Sequence, residues 1–171
     1  TNRYMFYLYR VSGVPASKLV MGVSFYGRTF RLNGPGTTTV NYPVDTVNYP
    51  GLYYNTQNDD ICNRGTFYSE NSYMYDIGLP AGADQRFALY KDIVNMLNGG
   101  YGWTEWFHSS AMAPGMYFND GQVIGGWARE LWISYDNPAS LTAKTDFIID
   151  KGMGGVMFWE ISHDDANRTL V

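Results

Sequence analysis

Polar and aromatic side chains follow two short apolar runs of the chain. The first run ends in Tyr26-Gly27-Arg28, and the second ends in Trp159-Glu160. An arginine beside a tyrosine supplies hydrogen-bond donors for sugar hydroxyls or for an amide oxygen. The face of an indole ring is a platform on which the C–H face of a sugar can stack. Tyr26, Arg28, Trp159 and Glu160 are therefore candidate ligand-binding residues.

Each of these residues also has a purely structural interpretation. Tyr26 could be a core tyrosine whose hydroxyl bonds to the backbone. Arg28 could pair with Glu160 at a rim, and Trp159 could serve in packing alone. Their joint position at the ends of two similar runs favours a binding site over these alternatives.

The composition agrees with sugar recognition. The chain of 171 residues has 15 Tyr, 9 Phe and 5 Trp, so that 17% of its residues are aromatic. Flat rings with apolar faces and polar rims suit the stacking of pyranose rings. The alternative is a tyrosine-rich sheet core, because aromatic residues also favour strands.

Charge and hydrophobicity exclude several other classes of protein. The formal charge of −4 argues against a nucleic-acid interface, which needs a basic patch. A chain with 45% hydrophobic and 16% charged residues is not disordered, and no apolar run approaches the ~18 residues of a membrane span. The one cysteine, Cys62, can neither close a disulfide within the chain nor form a zinc site alone. No cofactor or metal is expected, since His108 and His163 have no partner at ligand spacing.

The two apolar runs are predicted to be strands of an α/β unit. Leu19–Tyr26 and Gly155–Trp159 are short and mostly apolar, as in strands that are buried on both faces of a parallel sheet. A helix precedes each strand. The first helix has Tyr4, Tyr7, Leu8 and Val11 at helical spacing. The second runs from about Pro138 to Asp150, with Asp136 or Asn137 as its cap.

The region between the two units predicts an α+β insertion of about 100 residues. Residues 33–82 are rich in Gly, Pro, Asn, Thr and Tyr, which favours short antiparallel strands and loops. Residues 101–132 are aromatic and typical of strands. One helix is expected between them. Asp84 is its predicted cap, and its apolar face holds Phe87, Tyr90, Val94 and Leu97.

Two segments closely resemble glycoside hydrolase family 18 chitinases. The segment from Gly13 to Arg28, with Tyr26-Gly27-Arg28 at its end, resembles the family's seventh barrel strand. The segment from Ile133 to Glu160, with Gly154-Gly155-Val156-Met157-Phe158-Trp159-Glu160 at its end, resembles the eighth helix–strand unit. The resemblance implies an α/β fold, the C-terminal part of a (β/α)8 TIM barrel that carries an α+β chitinase insertion domain. Residues 1–30 and 133–171 would form the barrel portion, and 31–132 the insertion.

The resemblance also implies an activity and roles for residues. Family members cleave β-1,4 links between N-acetylglucosamine units with retention, and the substrate's own acetamido oxygen attacks the anomeric carbon. Tyr26 and Arg28 match residues that line the subsites around the scissile bond, and Trp159 matches the floor under the −1 sugar. Glu160 is a further subsite candidate. Weaker candidates in the insertion are Tyr101, Trp103 and Trp106, which could equally be core, and Asp92, where the family usually has Glu in a Tyr-x-Glu-Ile motif.

The family's catalytic motif, Asp-x-x-Asp-x-Asp-x-Glu, is absent from these 171 residues. We therefore expect no catalytic residue in this chain and no hydrolysis by it alone. The chain begins within a helical pattern, which favours a fragment, although a second chain could also complete the barrel. The expected ligand is chitin or N-acetylglucosamine oligomers, with neither a nucleic acid nor a membrane as partner, and that substrate implies secretion. The alternatives are a chitinase-like lectin and a peptidoglycan hydrolase of the same fold.

Overall fold

The computed structural model describes residues 2–31, 77–80, 87–109, 111–124 and 127–171. Three helices lie in these ranges: α1 (Asn2–Val11), α2 (Tyr90–Asn98) and α3 (Pro138–Asp150). Two short 3₁₀ turns cover Ala16–Lys18 and Ile161–His163. The strands are β1 (Val20–Ser24), β2 (Tyr26–Arg31), β3 (Phe87–Leu89), β4 (Thr104–His108), β5 (Ala113–Ile124), β6 (Trp127–Ser134) and β7 (Gly155–Trp159). No helix in this described part of the chain is long and apolar enough to cross a membrane.

Strands β1 and β7 form a parallel pair, which confirms the two predicted strands except at one end: β1 stops at Ser24, and Tyr26, predicted as its last residue, begins the antiparallel strand β2. Their register joins Val20 to Gly155 and Ser24 to Trp159. One face of the pair is covered at β1, where Met21 and Val23 are buried, whereas Val156 and Phe158 on the same face of β7 are exposed. Helices α1 and α3 contact each other through the rings of Phe6 and Phe147, whose centroids are 5.4 Å apart.

The prediction that both faces of these strands are buried is wrong for the described residues. Val20, Met157 and Trp159 are 56%, 53% and 62% exposed. Side chains alternate between the two faces of a strand, and no described element covers the face that carries these three residues. Among the described residues, each strand of the pair also has a neighbour on only one side.

The other five strands form an antiparallel sheet in the order β3-β2-β6-β5-β4. Helix α2 packs on one face of this sheet and forms the main core with it. The helix lies close to the sheet at Gly27 of β2. A Cβ atom at this position would lie 2.9 Å from the Ile93 side chain of α2 and 2.6 Å from the Ile133 side chain of β6. The fully buried residues of this layer include Ala88, Ile93, Met96, Met116, Leu131 and Ile133.

The helix predicted after Asp84 begins later than expected. Phe87–Leu89 form strand β3, which pairs with Tyr26–Arg28 of β2, and the helix begins at Tyr90. Phe87 therefore lies on a strand, because its backbone pairs with Arg28 of β2. Asp84 itself and residues 33–76 and 81–82 of the predicted loop region lie outside the described residues.

Helix α3 confirms its prediction at both ends. It covers Pro138–Asp150, and Asn137 is the cap. The Ser140 backbone N–H donates to the Asn137 side chain over 3.0 Å, and the Asn137 N–H donates to the Ser140 hydroxyl over 3.0 Å. This reciprocal pair satisfies two donors that the first turn of a helix otherwise leaves open.

The proposed division into a barrel portion and an insertion stays a prediction. Arg28 and Thr29, which that division assigns to the barrel portion, pair with Ser134 and Ile133 in the antiparallel sheet. The two sheets are continuous along the chain, because β1 passes directly through Phe25 into β2.

Candidate functional site

The structure brings both motif-bearing strand ends to one place. Strand β1 ends at Ser24, opposite Trp159 at the end of β7. The Phe25 N–H donates to the Trp159 carbonyl over 2.9 Å, which extends the pairing by one residue. Parallel pairing therefore places Tyr26 and Glu160 at the same edge, where side chains of several strands can meet one ligand.

Tyr26 lies at the centre of a group of rings and charges. The guanidinium carbon of Arg28 is 5.2 Å from the Tyr26 ring centroid, a cation–π geometry. The rings of Phe87 and His163 meet Tyr26 edge-on, with centroids 5.8 and 6.1 Å away. Tyr26, Arg28, Phe87, Glu160 and His163 are called the mouth cluster below.

Trp159 precedes Glu160 of this cluster in the chain, and its ring is open. Its side chain is 62% exposed, so no described residue covers both faces of the indole. The peptide bond between Trp159 and Glu160 is cis. An indole this exposed at the end of a strand can stack against the face of a sugar. An indole that served in packing alone would be covered by neighbouring side chains.

Glu160 is held by the 3₁₀ turn that follows it. Its carboxylate accepts a hydrogen bond from the Ser162 hydroxyl, and His163 Nε2 lies 3.6 Å from its Oε1 atom. The same turn is joined to α2, because Lys91 Nζ donates to the Ser162 carbonyl over 3.3 Å.

Asp92 lies in the first turn of α2 and is buried, with 8% of its surface exposed. Burial raises the pKa of its carboxyl above the ordinary value, while the positive charge of Lys91, the Leu89 backbone and His163 oppose that rise in pKa. The Asp92 carboxyl therefore lies near His163 of the mouth cluster, but little of its surface is accessible to solvent.

The aromatic candidates of the predicted insertion lie apart from this cluster. Trp103 is buried, and its indole N–H donates to the Ile77 carbonyl over 2.9 Å. Its ring packs on Phe118 at 5.2 Å, so the structure places it in the core. Tyr101 is 37% exposed in the loop after α2. Trp106 lies half-buried on β4, which is three strand spacings, or about 14 Å, from β2.

A second polar network lies where β6 runs into α3. The Tyr135 hydroxyl donates to the Glu105 carboxylate, and Asn137 Nδ2 donates to the same oxygen over 3.3 Å. Burial and the bond to Glu105 raise the pKa of Tyr135 far above its ordinary value. Burial, together with the carboxylates of Asp165, Asp164 and Glu105, raises the pKa of Tyr90 to about 12. Both phenols remain protonated at neutral pH, and the Tyr135 hydroxyl links the end of β6 to Glu105 of β4.

Sequence reasoning missed two members of the mouth cluster. Phe87 was expected on a helix, and His163 was considered only as a metal ligand. The three-residue spacing from Glu160 to His163 is the one local signal for their contact. No group of three potential metal ligands occurs within the described ranges.

Comparison with known proteins identifies the family. Residues 1–164 match the family described as Glycosyl hydrolases family 18. The chain belongs to glycosyl hydrolase family 18. This membership confirms the resemblance that its terminal segments predicted.

Individual members of family 18 give the extent of the match. Chitinase B of Serratia marcescens is 29% identical over 165 residues, which cover 94% of this chain and 28% of that protein. The structure of a chitinase from Rhizomucor miehei aligns with a TM-score of 0.66 and 23% identity over 99% of this chain and 41% of that one. Human YKL-39, a pseudo-chitinase with retained chitooligosaccharide binding, aligns with a TM-score of 0.64 and 22% identity over 99% of this chain and 35% of that one.

These likenesses confirm the fold class of this family 18 chain. The chain aligns with part of the TIM-barrel fold of these chitinases, and β1, β7 and their helices form an open α/β portion of it. The chain spans less than a third of the length of Serratia chitinase B.

Proposed function

We propose that this chain is part of a chitinase that hydrolyses β-1,4 links between N-acetylglucosamine units. The observation that carries the proposal is the open indole of Trp159 at the end of β7, opposite the end of β1, from which the chain continues into the Tyr26–Arg28 pair. An aromatic face and nearby hydrogen-bond donors are what a chain of N-acetylated sugars needs for stacking and for recognition of its hydroxyl and amide groups.

In the proposed reaction the residues of this chain bind and orient the substrate. Trp159 supports the sugar at the −1 subsite, and Tyr26 and Arg28 bind polar groups around the scissile bond. The acetamido oxygen of that sugar attacks the anomeric carbon while a glutamic acid protonates the departing glycosidic oxygen, and the configuration is retained. Holding the acetamido group near the anomeric carbon makes this attack intramolecular, which lowers its entropic barrier.

We place the catalytic acid outside these 171 residues, because they lack the Asp-x-x-Asp-x-Asp-x-Glu motif. The outer edges of β1 and β7 have no described neighbour, so further strands can add there. The rest of the barrel would then come from the same polypeptide or from a second chain. Such an enzyme would act outside the cell, where its polymeric substrate lies.

A chitin-binding lectin is the second candidate. One observation favours it: YKL-39, which aligns over 99% of this chain, is a pseudo-chitinase that retains chitooligosaccharide binding. A lectin of this kind would keep the open Trp159 ring and the Tyr26–Arg28 pair, and it would differ from a chitinase in the residue that replaces the acid.

The deciding experiment uses the complete protein that contains this chain. Purified protein is incubated with N-acetylglucosamine tetramers, products are separated by chromatography, and binding is measured by calorimetry. Hydrolysis with retention supports the chitinase, and binding without hydrolysis supports the lectin. Cleavage of muramyl-containing glycan in preference to chitin tetramers, or neither binding nor cleavage, would overturn both proposals.

A further inference from the structure

His163 occupies a position that the proposed function does not yet use. It is the last residue of the 3₁₀ turn after β7, and its side chain is 16% exposed. Its ring meets the edge of Tyr26 with centroids 6.1 Å apart and an interplanar angle of 80°. Its Nε2 atom lies 3.6 Å from Glu160 Oε1. One imidazole thus contacts Tyr26 of the antiparallel sheet and Glu160, which directly follows β7.

Hydrogen bonds hold the turn that carries His163 against its neighbouring elements. Ser162 bonds to Glu160, and Lys91 of α2 bonds to the Ser162 carbonyl, so the turn is joined to β7 and to α2. The buried Asp92 of α2 lies close enough to this turn that a charge on the His163 ring would lower the pKa of its carboxyl. The Nδ1 atom of His163 is buried and has no hydrogen-bond partner among the described residues. The position of the ring therefore depends on its contacts with Tyr26 and Glu160.

These contacts have a consequence for Tyr26. Its ring has three described neighbours, Arg28, Phe87 and His163. Arg28 lies on the same strand as Tyr26, and Phe87 lies on the paired strand β3. His163 alone of the three lies in the segment that carries Trp159 and Glu160. It is therefore the contact that relates the Tyr26 ring to the end of β7.

We propose that His163 is a positioning residue that sets the Tyr26 ring relative to Trp159 and Glu160 and thereby tightens the binding of the sugar chain. The proposal rests on the proposed function, because it concerns the same binding edge. It assigns His163 a role in substrate affinity and none in bond cleavage. An edge-to-face ring contact has a defined geometry, so an aliphatic residue cannot replace it, whereas another flat ring can.

The test compares three substitutions in the complete enzyme with chitin oligomers as substrate. His163→Ala should raise KM by about fivefold and leave kcat within about twofold, because loss of one edge-to-face contact weakens ground-state and transition-state binding alike. His163→Phe retains the ring edge and should restore most of the wild-type KM. His163→Gln retains a polar group near Glu160 without the ring, and should behave like the alanine variant.

The second histidine of the chain provides the matched control. His108 lies on β4, three strand spacings from β2, and His108→Ala should leave KM unchanged. A wild-type KM in His163→Ala, or equal losses of kcat and thermal stability in all three variants, would overturn the positioning role. An inactive wild-type protein that binds no oligomer would instead refute the function on which the role rests. The two failures are therefore distinguishable.

Discussion

At the scale of single residues, the binding edge depends on side chains that the two sheets supply separately. Trp159 belongs to the parallel pair, whereas Tyr26 and Arg28 begin the antiparallel sheet. The hydrogen bond from the Phe25 N–H to the Trp159 carbonyl is the backbone link between them. Small shifts between the sheets would therefore change the distance from the stacking ring to the polar groups.

Trp159→Ala should lower kcat/KM of the complete enzyme for chitin oligomers by about 100-fold or more. The substitution removes the surface that favours the reacting sugar in its transition-state geometry. Steady-state kinetics on N-acetylglucosamine tetramers measures the loss. Ile149→Ala is the control, since Ile149 is an exposed apolar residue, 73% exposed, on α3 and outside the mouth cluster. An unchanged kcat/KM in the Trp159 variant would show that the indole serves in packing alone.

Asp92→Asn should stabilise the fold at about neutral pH, and this gain should shrink as the pH falls. Burial in the folded state raises the pKa of the Asp92 carboxyl. The protonated carboxyl therefore contributes fully to stability below the unfolded-state pKa, and this contribution is lost as the pH rises through the folded-state pKa. Asparagine resembles the protonated form at every pH. Thermal unfolding of both proteins between about pH 4 and pH 8 gives the comparison.

The matched control for this pH effect is Asp150→Asn. The Asp150 side chain is 67% exposed at the end of α3, so it pays no comparable burial penalty. Its substitution should produce no stabilisation that grows with pH. A constant Tm difference for Asp92→Asn across the pH range would show that burial of the charge does not govern this site.

At the scale of elements, helix α3 is held at its start by a buried ion pair. Lys144 Nζ lies 2.5 Å from Asp136 Oδ2, and the Asp136 side chain is 7% exposed. The Ser140 hydroxyl donates to the other oxygen of Asp136 over 2.7 Å. Asp136 precedes the cap of α3, so this pair joins the end of β6 to the second turn of the helix.

Lys144→Met should lower the free energy of unfolding by about 2–3 kcal/mol, because it leaves the buried Asp136 carboxylate without its cation. Urea unfolding of the complete protein measures the change. Lys151→Met is the control, since Lys151 also lies 2.5 Å from a carboxylate, Asp150, but at the surface. The control should show no measurable loss. Equal effects of the two substitutions would contradict the importance of burial.

At the scale of the whole molecule, the described structure contains the proposed binding edge but no closed barrel. The parallel pair has two strands with open outer edges, and the face that carries Met157 and Trp159 is exposed. Open strand edges present unpaired backbone groups that favour the addition of further strands. The outer edges of β1 and β7 are therefore where we expect the remaining barrel strands to add.

The 171-residue chain, prepared by itself, should not hydrolyse chitin oligomers. Its Trp159 ring and Tyr26–Arg28 pair can contact a sugar, but the proposed mechanism needs an acid that these residues do not include. Chromatography of N-acetylglucosamine tetramers after prolonged incubation checks this, with the complete enzyme as the positive control. Robust turnover by the isolated chain would place the acid within it and refute our assignment.

The local elements of this protein were predictable because they depend on short-range patterns. Helix α3 with its Asn137 cap and the strands β1 and β7 follow from capping residues, helical spacing and compact apolar runs. The motifs Tyr26-Gly27-Arg28 and Trp159-Glu160 were also sufficient to indicate the family. The start of α2 was not predictable, because pairing with β2 determines that Phe87 is a strand residue.

The sequence by itself determined the family, the helices and strands at both ends of the chain, and the candidate residues at the strand ends. The tertiary structure alone decided which of these residues lie together. It buries Trp103 under Phe118, leaves Trp159 open and brings His163 against Tyr26. The physical reason is that periodicity acts between neighbours in the chain, whereas burial and ring contacts depend on the packing of segments that are distant in sequence.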